Sequence, residues 1–416
     1  MKKMKKTLLI IFSCFLLISN AQTFSVGHMS INFKDVSRTS TGYTISGGIT
    51  TNTATGRTIG TEVYYPATFA GTNAAVANGQ FPVVVFGHGF VMTYDAYDNI
   101  FNRLASLGYI VMLPRTEGGF SPTHAEFGAD LKFLANEGMA LNTITTPSTL
   151  VTFNGKVLQK SAIGGHSMGA GSSFLAASAN STVTCLFNMC AATTNPSSIN
   201  SASLVTVPAL LISGEMDSVA DTTVQNSHYT ATASTKKFHV IITGAKHCDF
   251  GNGTSGTCTI GQPACSGTGC NAILFARYMS YLEPFLAYEL KNDCNAGNTF
   301  MNLIQNPSTD RVGRKITGNI TCAVTGLQSQ SLVNNFSVFP NPTDGKLNIF
   351  YISETTTPVV FELYDVSGRL VLQSTETSAI SINVKKEITL EHIEDGSYIL
   401  YIRQNDLKMA YKIIKH

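Results

Sequence analysis

Short apolar runs that alternate with helix-like segments constrain the fold of this chain more than any other feature. From residue 81 onward five such runs occur in succession: FPVVVF, YIVMLP, SAIGG, PALLIS and FHVIIT. Short, continuous apolar runs rich in branched side chains are typical of strands that are buried on both faces of a parallel sheet. Strands that alternate with helices predict an α/β fold with a doubly wound, mostly parallel sheet.

The segments on either side of this alternating region have a different composition. Residues 24–80 are rich in Thr, Gly and Asn and contain short alternating stretches, which predict antiparallel strands. From Phe336 onward, alternating segments are separated by turn signals such as PNPTDGK and EDGS, and no helix signal is present. This pattern predicts a small all-β sandwich. We therefore expect an α/β domain over 22–300, a linker over 301–335 and a β-sandwich domain over 336–416.

The first 21 residues have the three parts of a secretory signal peptide. A basic MKKMKK precedes the apolar run TLLIIFSCFLLIS, and Ser19-Asn20-Ala21 supplies a small-residue cleavage site. The apolar run is too short to span a bilayer comfortably, and no later segment reaches spanning length. We expect a secreted or cell-surface protein with no transmembrane segment after signal removal; a retained N-terminal anchor is the alternative.

Removal of this leader changes both the charge and the cysteine count. Four lysines and no acidic residue are lost, which lowers the formal net charge from +2 to −2 and argues against a nucleic-acid partner. Nine cysteines become eight, an even number that favours disulfides in an exported chain. The spacing of Cys185 with Cys190 and of Cys265 with Cys270 leaves zinc open as an alternative. We expect no free thiol, no metal, no cofactor and a monomer.

The run SAIGG is followed by a serine between glycines. Gly165-His166-Ser167-Met168-Gly169 fits G-x-S-x-G, between a strand and a helix of small residues. A serine on this sharp turn is strained and exposed as a nucleophile, and the glycines let neighbouring backbones pack closely. The Met168 N–H, at the positive end of the helix dipole, can donate to an oxyanion. A glycine-rich turn with an incidental serine is the alternative interpretation.

A serine nucleophile requires an acid and a histidine, which follow it in that order in this fold. Asp217 comes just after PALLIS and His247 just after FHVIIT, so both lie at carboxyl ends of parallel strands, where ligand crevices form. His247 would accept the Ser167 proton and return it to the leaving alcohol, while Asp217 orients the imidazole. Glu215 and Asp221 are rival acids; we prefer Asp217 because it is nearest the expected strand-end position.

A glycine-rich turn after the first apolar run offers a second oxyanion donor. The turn contains His88-Gly89-Phe90, and the Phe90 N–H is the expected partner of the Met168 N–H. The other histidines near these motifs are predicted to be structural or packed, namely His88, His166 and His239, and His228 falls in a helix-like segment.

Together these motifs resemble the α/β-hydrolase superfamily. Within it, the chain is similar to secreted bacterial cutinase-like polyesterases and lipases and to dienelactone-hydrolase-like esterases. The similarity covers roughly 55–290 and includes, in order, the HGF turn, LASLGYIVMLPR, GHSMGAG, VPALLISGEMDSVAD and GAKH. The resemblance implies triad roles for Ser167, Asp217 and His247 and oxyanion roles for Phe90 and Met168. The dienelactone hydrolases use a cysteine nucleophile, whereas this chain has serine.

The resemblance implies a serine ester hydrolase that cleaves hydrophobic acyl or aromatic esters, with polyesters such as poly(ethylene terephthalate) as further substrates. Cutinase-like polyesterases usually carry a tryptophan after the nucleophile helix, but this chain has no Trp and reads CLFNMCAATTNPSS there. Phe90, Tyr94 or Phe120 would then supply the aromatic floor, and we assign substrate binding to Tyr94 and Phe120. The alternatives are a non-catalytic surface binding or adhesion protein and a serine amidase or peptidase.

The last segment resembles the sorting domain of the type IX secretion system. The resemblance covers 336–416 and depends on FSVFPNPTDGKLNI, YDVSGR and DGSY, which occur in that order. It implies that the type IX secretion machinery is a partner and that the chain is exported. A generic β-sandwich binding module is the alternative.

Overall fold

The computed structural model divides the chain into two compact units, Met1–Thr321 and Cys322–His416. The described residues are 23–39, 43–44, 51–143, 153–178, 182–253, 255–266, 269–320, 337–353, 357–377, 382–404 and 407–416. The predicted signal peptide over 1–21 lies outside them.

The first unit contains a mixed sheet and the helices that cover it. Its strands are β1 (Ser25–Asp35), β2 (Tyr43–Thr44), β3 (Thr51–Thr53), β4 (Gly56–Ala67), β5 (Gly71–Thr72), β6 (Phe81–Gly87), β7 (Ile110–Pro114), β8 (Val157–His166), β9 (Cys185–Met189), β10 (Ala209–Gly214), β11 (Lys237–Ile242) and β12 (Arg311–Thr317). Its helices are α1 (Asp98–Ser106), α2 (His124–Ala140), α3 (Met168–Ser178), α4 (Ser198–Ala202), α5 (Thr222–Ala231), α6 (Gly256–Ile260), α7 (Cys270–Lys291) and α8 (Cys294–Gln305). Short 3₁₀ turns occupy Tyr94–Tyr97 and His247–Phe250.

The central strands of this sheet are parallel. The order is β12-β11-β10-β9-β8-β6-β7-β4-β1-β5, and all neighbours from β11 to β7 pair in parallel. β4 pairs antiparallel with β1 and β7, and β12 pairs antiparallel with β11. The predicted α/β fold with a mostly parallel sheet is therefore confirmed. Because the strand order reverses at β6, a crevice is expected at the carboxyl ends of β6 and its neighbours.

Alternate residues of β6 enter two different cores, which explains its unbroken apolar run. Val84 and Phe86 pack in the core that includes α1, α7 and α8, whereas Val83 and Val85 pack in the core that includes α2. Every residue of β6 is buried. The sheet is thus covered on both faces, and only the ends of its central strands remain for a site.

The structure differs from the predicted linker over 301–335. Helix α8 continues to Gln305, and β12 adds to the main sheet beside β11, with Thr317 opposite Lys237. The sequence of β12, RVGRKIT, is polar because most of this edge strand is not buried, so it lacks an apolar period. Of the described helices, none is both long and apolar enough to cross a membrane.

The second unit consists of two antiparallel sheets. Its strands are β13 (Ser337–Phe339), β14 (Lys346–Ser353), β15 (Val359–Asp365), β16 (Leu370–Glu376), β17 (Ile382–Thr389), β18 (Gly396–Gln404) and β19 (Leu407–Lys415). One sheet has the order β13-β14-β17 and the other β16-β15-β18-β19. Ile349 from the first and Phe361 and Leu400 from the second are fully buried in a common core. The prediction of a small all-β domain is confirmed.

Candidate active site

Three polar side chains from different strand ends meet at the carboxyl edge of the sheet. His247 Nε2 lies 2.9 Å from Ser167 Oγ, and His247 Nδ1 lies 2.9 Å from Asp217 Oδ2. Ser167 joins β8 to α3, Asp217 follows β10, and His247 begins the 3₁₀ turn after β11. All three residues are buried. The structure therefore brings together the three residues that the sequence indicated, in one continuous hydrogen-bonded series.

The turn at Ser167 is held in a strained backbone conformation. Its φ is +54°, in the left-handed region that non-glycine residues rarely adopt. A Cβ at Gly165 or Gly169 would lie 2.4 or 2.1 Å from the carbonyl oxygen of Gly87, so both positions require glycine. The Ser167 N–H donates to Met189 O at 3.0 Å. The turn is thus fixed between β6 and β9, as a nucleophile elbow requires.

The carboxylate of Asp217 is fully engaged. Its Oδ1 accepts the N–H groups of Val219 and Ala220 at 2.8 and 2.9 Å, and its Oδ2 faces His247. Burial opposes ionisation, but hydrogen bonding and charge from His247, the Cys190 thiol and the Ala220 N–H lower the pKa of Asp217 to about 2. Asp217 is therefore an anion at neutral pH, oriented towards the imidazole.

The two rival acids are occupied elsewhere. Glu215 Oε2 accepts the Gly244 N–H at 2.9 Å. Asp221 caps α5, and its Oδ1 accepts the N–H groups of Thr223 and Val224 at 2.9 and 3.0 Å. The structure therefore does not place either carboxylate against His247, which leaves Asp217 as its partner.

The two expected oxyanion donors follow the two neighbouring strands β6 and β8, and Ser167 follows β8. Met168 is the first residue of α3, and Phe90 follows β6 in the turn at residues 88–90. Within the described ranges, neither N–H donates to an acceptor of the chain. His88, in the same turn, is buried, with Nε2 2.8 Å from the Thr116 carbonyl oxygen, and burial lowers its pKa. These contacts fit its expected structural role.

The two residues predicted to bind substrate lie in different settings. The Tyr94 ring packs beside Phe101, with centroids 6.4 Å apart, whereas Phe120 is 82% exposed in the loop after β7. The substrate role of both residues stays a prediction. Met216 and Val219, which flank Asp217, are also exposed, and the sequence reasoning did not single them out. The signal that could have identified them is the presence of two apolar side chains in the otherwise polar loop GEMDSVAD, next to the predicted acid.

Disulfides cross-link the segment that carries His247. Cys248 is bonded to Cys258 and Cys265 to Cys270, and Cys294 is also disulfide-bonded. Cys248 directly follows His247, so the first bridge closes the loop next to the imidazole. The disulfide prediction is confirmed, and these cysteines are not a zinc site.

The expectation that no thiol would be free is wrong for Cys185 and Cys190. Both are buried and free, and they lie at the start of β9 and directly after its end. Five residues of extended strand separate their Cα atoms by about 17 Å. A disulfide requires Cα atoms less than about 7 Å apart, so this pair cannot form one.

Cys190 is a site residue that the sequence reasoning missed. Its sulfur lies within 4.8 Å of ligand atoms of Asp217 and His247, and these three form the one cluster of potential metal ligands in the described part of the chain. Burial and the neighbouring carboxylate raise the pKa of its thiol well above the usual range. A neutral S–H supplies a donor to the carboxylate rather than a thiolate ligand. Because Cys190 directly follows the buried strand β9, the strand-end rule that indicated Asp217 would have found it.

Comparison with models of protein families finds two matches along the chain. Residues 25–266, more than half of the chain, match the model described as PET hydrolase-like, and this range contains Ser167, Asp217 and His247. Residues 337–416 match the Secretion system C-terminal sorting domain, a range that lies within the second unit. A sorting domain of this type implies secretion or display at the cell surface. A comparison with curated proteins found no match.

Proposed function

Because the chain belongs to the PET hydrolase-like family of α/β hydrolases, we propose that it hydrolyses hydrophobic carboxylic esters, polyesters included, by a serine mechanism. The observation that carries this proposal is the unbroken series from Asp217 through His247 to Ser167, with both contacts at 2.9 Å. The serine sits on a strained elbow at a helix N-terminus, an arrangement that presents its hydroxyl to the base that activates it.

The first half-reaction forms an acyl-enzyme. His247 Nε2 takes the proton of Ser167 Oγ as the oxygen attacks the ester carbonyl, and the carbonyl oxygen becomes an oxyanion. The N–H groups of Phe90 and Met168 stabilise this charge, and each such donor contributes roughly 3–4 kcal/mol in the transition state. Asp217 holds the imidazole with Nδ1 protonated and stabilises the imidazolium that forms. The imidazolium then gives its proton to the leaving alcohol.

The second half-reaction releases the acid. Water donates a proton to His247 Nε2 while its oxygen attacks the acyl carbon, and the same two N–H groups stabilise the new oxyanion. Collapse of this intermediate breaks the bond to Ser167 Oγ, which recovers its proton from the imidazolium. One ester bond and one water are consumed, and one acid and one alcohol are produced, with no redox change.

The side chains next to these residues favour an apolar substrate. Phe90, Met216 and Val219 are large apolar residues at or next to the oxyanion and acid positions, and they are 45%, 55% and 56% exposed. Exposed apolar groups of this kind bind alkyl chains or aryl rings by removing them from water, at about 25 cal/mol for each Å² buried. We therefore assign the acyl chain or ring of the ester to this surface.

The test is a panel of p-nitrophenyl esters of rising chain length, run beside polycaprolactone agar and amorphous poly(ethylene terephthalate) film. We expect brisk turnover of butyrate to octanoate esters, clearing of polycaprolactone and weak release of terephthalate. Ser167→Ala is the matched control and should be inactive on all of them. Absence of ester turnover by the folded wild-type chain would refute the proposal, and butyrate turnover without any clearing would restrict it to small esters.

A further inference from the structure

Two buried side chains connect the loop of the oxyanion donor to the loop of His247. The Gly89 N–H donates to the Tyr97 hydroxyl at 2.9 Å, and that hydroxyl lies 2.9 Å from His166 Nδ1. His166 Nε2 in turn lies 2.8 Å from the carbonyl oxygen of His247. Tyr97 and His166 are both fully buried. We call this series of three hydrogen bonds the Tyr97–His166 bridge.

The hydrogen positions in the bridge follow from its ends. A carbonyl oxygen only accepts, so His166 Nε2 must carry the proton that it donates to His247. Nδ1 of the neutral ring is then an acceptor, and the Tyr97 hydroxyl donates to it. The hydroxyl oxygen is left to accept the Gly89 N–H. Met92 Sδ also lies 3.1 Å from this hydroxyl, but a thioether is a weak acceptor beside an imidazole nitrogen.

His166 stays neutral in its surroundings. Its ring is near the rings of His247, Phe250 and Tyr97, at centroid distances of 4.7, 6.3 and 5.8 Å. Burial and repulsion from a charged His247 lower the pKa of His166 to about 3, although the His247 carbonyl and the Asp217 charge act in the opposite direction. Burial also raises the pKa of the Tyr97 hydroxyl, so it remains protonated. The donors and acceptors of the bridge therefore do not change across neutral pH.

We propose that Tyr97 and His166 are positioning residues that set the oxyanion donor and the base relative to the nucleophile. This inference rests on the proposed function. Gly89 precedes Phe90 and His166 precedes Ser167, while the acceptor carbonyl belongs to His247 itself. The bridge thus ties together the three loops that carry the reacting groups, and its own side chains are buried away from substrate.

Space around Gly89 leaves little freedom for this loop to shift. A Cβ at Gly89 would lie 2.6 Å from Met92 Sδ, 3.2 Å from the Tyr97 hydroxyl oxygen and 3.3 Å from His166 Nδ1. The backbone of the loop is therefore packed directly against both members of the bridge. A displacement of about 1 Å at a reacting group can cost about a hundredfold in rate, so this contact has a measurable consequence.

The first test compares Tyr97→Phe with Tyr65→Phe. Tyr65 is equally buried and its hydroxyl donates to Ala74 O at 2.9 Å, but β4, on which it lies, carries none of the reacting groups. For Tyr97→Phe we expect kcat on p-nitrophenyl butyrate to fall about 10- to 100-fold with KM within about threefold, because a misplaced donor weakens transition-state binding. Tyr65→Phe should lose as much thermal stability as Tyr97→Phe but keep the kcat of the wild-type chain. Equal kcat in the two variants would overturn the proposal.

The second test asks whether the bridge acts as a unit. His166→Phe keeps a planar ring and removes both nitrogens, and the double variant with Tyr97→Phe closes a mutant cycle. We expect the double variant to lose no more than about twofold beyond the worse single variant, since each change already breaks the same connection. If the loss in kcat of the double variant equals the product of the losses of the two single variants, the two side chains act independently, which would contradict the proposal.

A third measurement does not depend on turnover. Nitrogen-15 NMR of histidine in the full chain should show His166 as the neutral Nε2–H tautomer throughout pH 5–9, in contact with the Tyr97 hydroxyl. An Nδ1-protonated ring, or a ring that titrates in this range, refutes the bridge whether or not esters are cleaved. Conversely, an intact bridge in a folded chain that cleaves no ester refutes the proposed function and the positioning role together.

Discussion

Replacement of Asp217 by asparagine should switch the tautomer of His247. The two N–H groups of Val219 and Ala220 that point at Asp217 Oδ1 require an acceptor, so the amide oxygen of the variant must occupy that position. The amide NH₂ then faces His247 Nδ1, which has to become an acceptor. The imidazole proton moves to Nε2 and points at Ser167 Oγ, so Nε2 can no longer take the serine proton.

A triad held in the wrong tautomer loses about 10⁴ in kcat, which corresponds to about 5 kcal/mol of transition-state stabilisation. The assay is kcat on p-nitrophenyl butyrate, with nitrogen-15 NMR to identify the tautomer of His247. Asp221→Asn is the matched control, because Asp221 carries the same carboxylate but caps α5. Asparagine also caps helices, so this control should be nearly silent. A loss of less than about tenfold for Asp217→Asn, or a larger loss for Asp221→Asn, would refute the assignment of the acid.

Three further predictions concern the rest of the molecule. The first concerns three buried histidines, His166, His228 and His239, whose pKa in the folded chain is about 3 to 4, below the value of 6.5 in the unfolded chain. As the pH falls, the unfolded chain therefore binds protons before the folded chain does, so the free energy of unfolding should fall by about 2 kcal/mol for each histidine between pH 8 and pH 5. Urea titrations should show this slope reduced in His228→Gln relative to the wild-type chain, and an unreduced slope would contradict the lowered pKa of His228. In denaturant without reductant, alkylation should modify Cys185 and Cys190 and leave Cys248, Cys258, Cys265 and Cys270 unmodified; a blocked Cys190 would contradict the structure. Deletion of 336–416 should keep kcat/KM on a soluble ester within about twofold, since the proposed site lies in the other unit, but should abolish export by the type IX machinery; normal export of the truncated chain would contradict the sorting role.

The site residues that could be predicted from the sequence all follow buried strands. Strands β6, β8, β10 and β11 are evident as apolar runs, so the residues just after them could be placed at one edge of the sheet. Cys190 follows β9 in the same way, but its spacing from Cys185 indicates only a disulfide or, as the alternative, a zinc pair, and neither of these places it beside Asp217. Strand β12 could not be predicted because its exposed edge position requires no apolar pattern.

The Tyr97–His166 bridge depends on information that the sequence does not display locally. Its two members are 69 positions apart, and they meet because the 3₁₀ turn before α1 packs on the elbow between β8 and α3. A histidine beside the nucleophile and a tyrosine before a helix are each ordinary residues in isolation. Their joint role becomes visible only when the third partner, the His247 carbonyl, is placed by the fold.

The central claim is that Ser167 is a nucleophile activated by His247 and Asp217. The most direct measurement is labelling of the full chain with a fluorophosphonate, followed by peptide mapping of the modified residue. We expect one adduct, on Ser167, at a rate that falls by orders of magnitude in Asp217→Asn, and no adduct in Ser167→Ala. An adduct that persists in folded Ser167→Ala, or a wild-type chain that does not react while folded, would contradict the account.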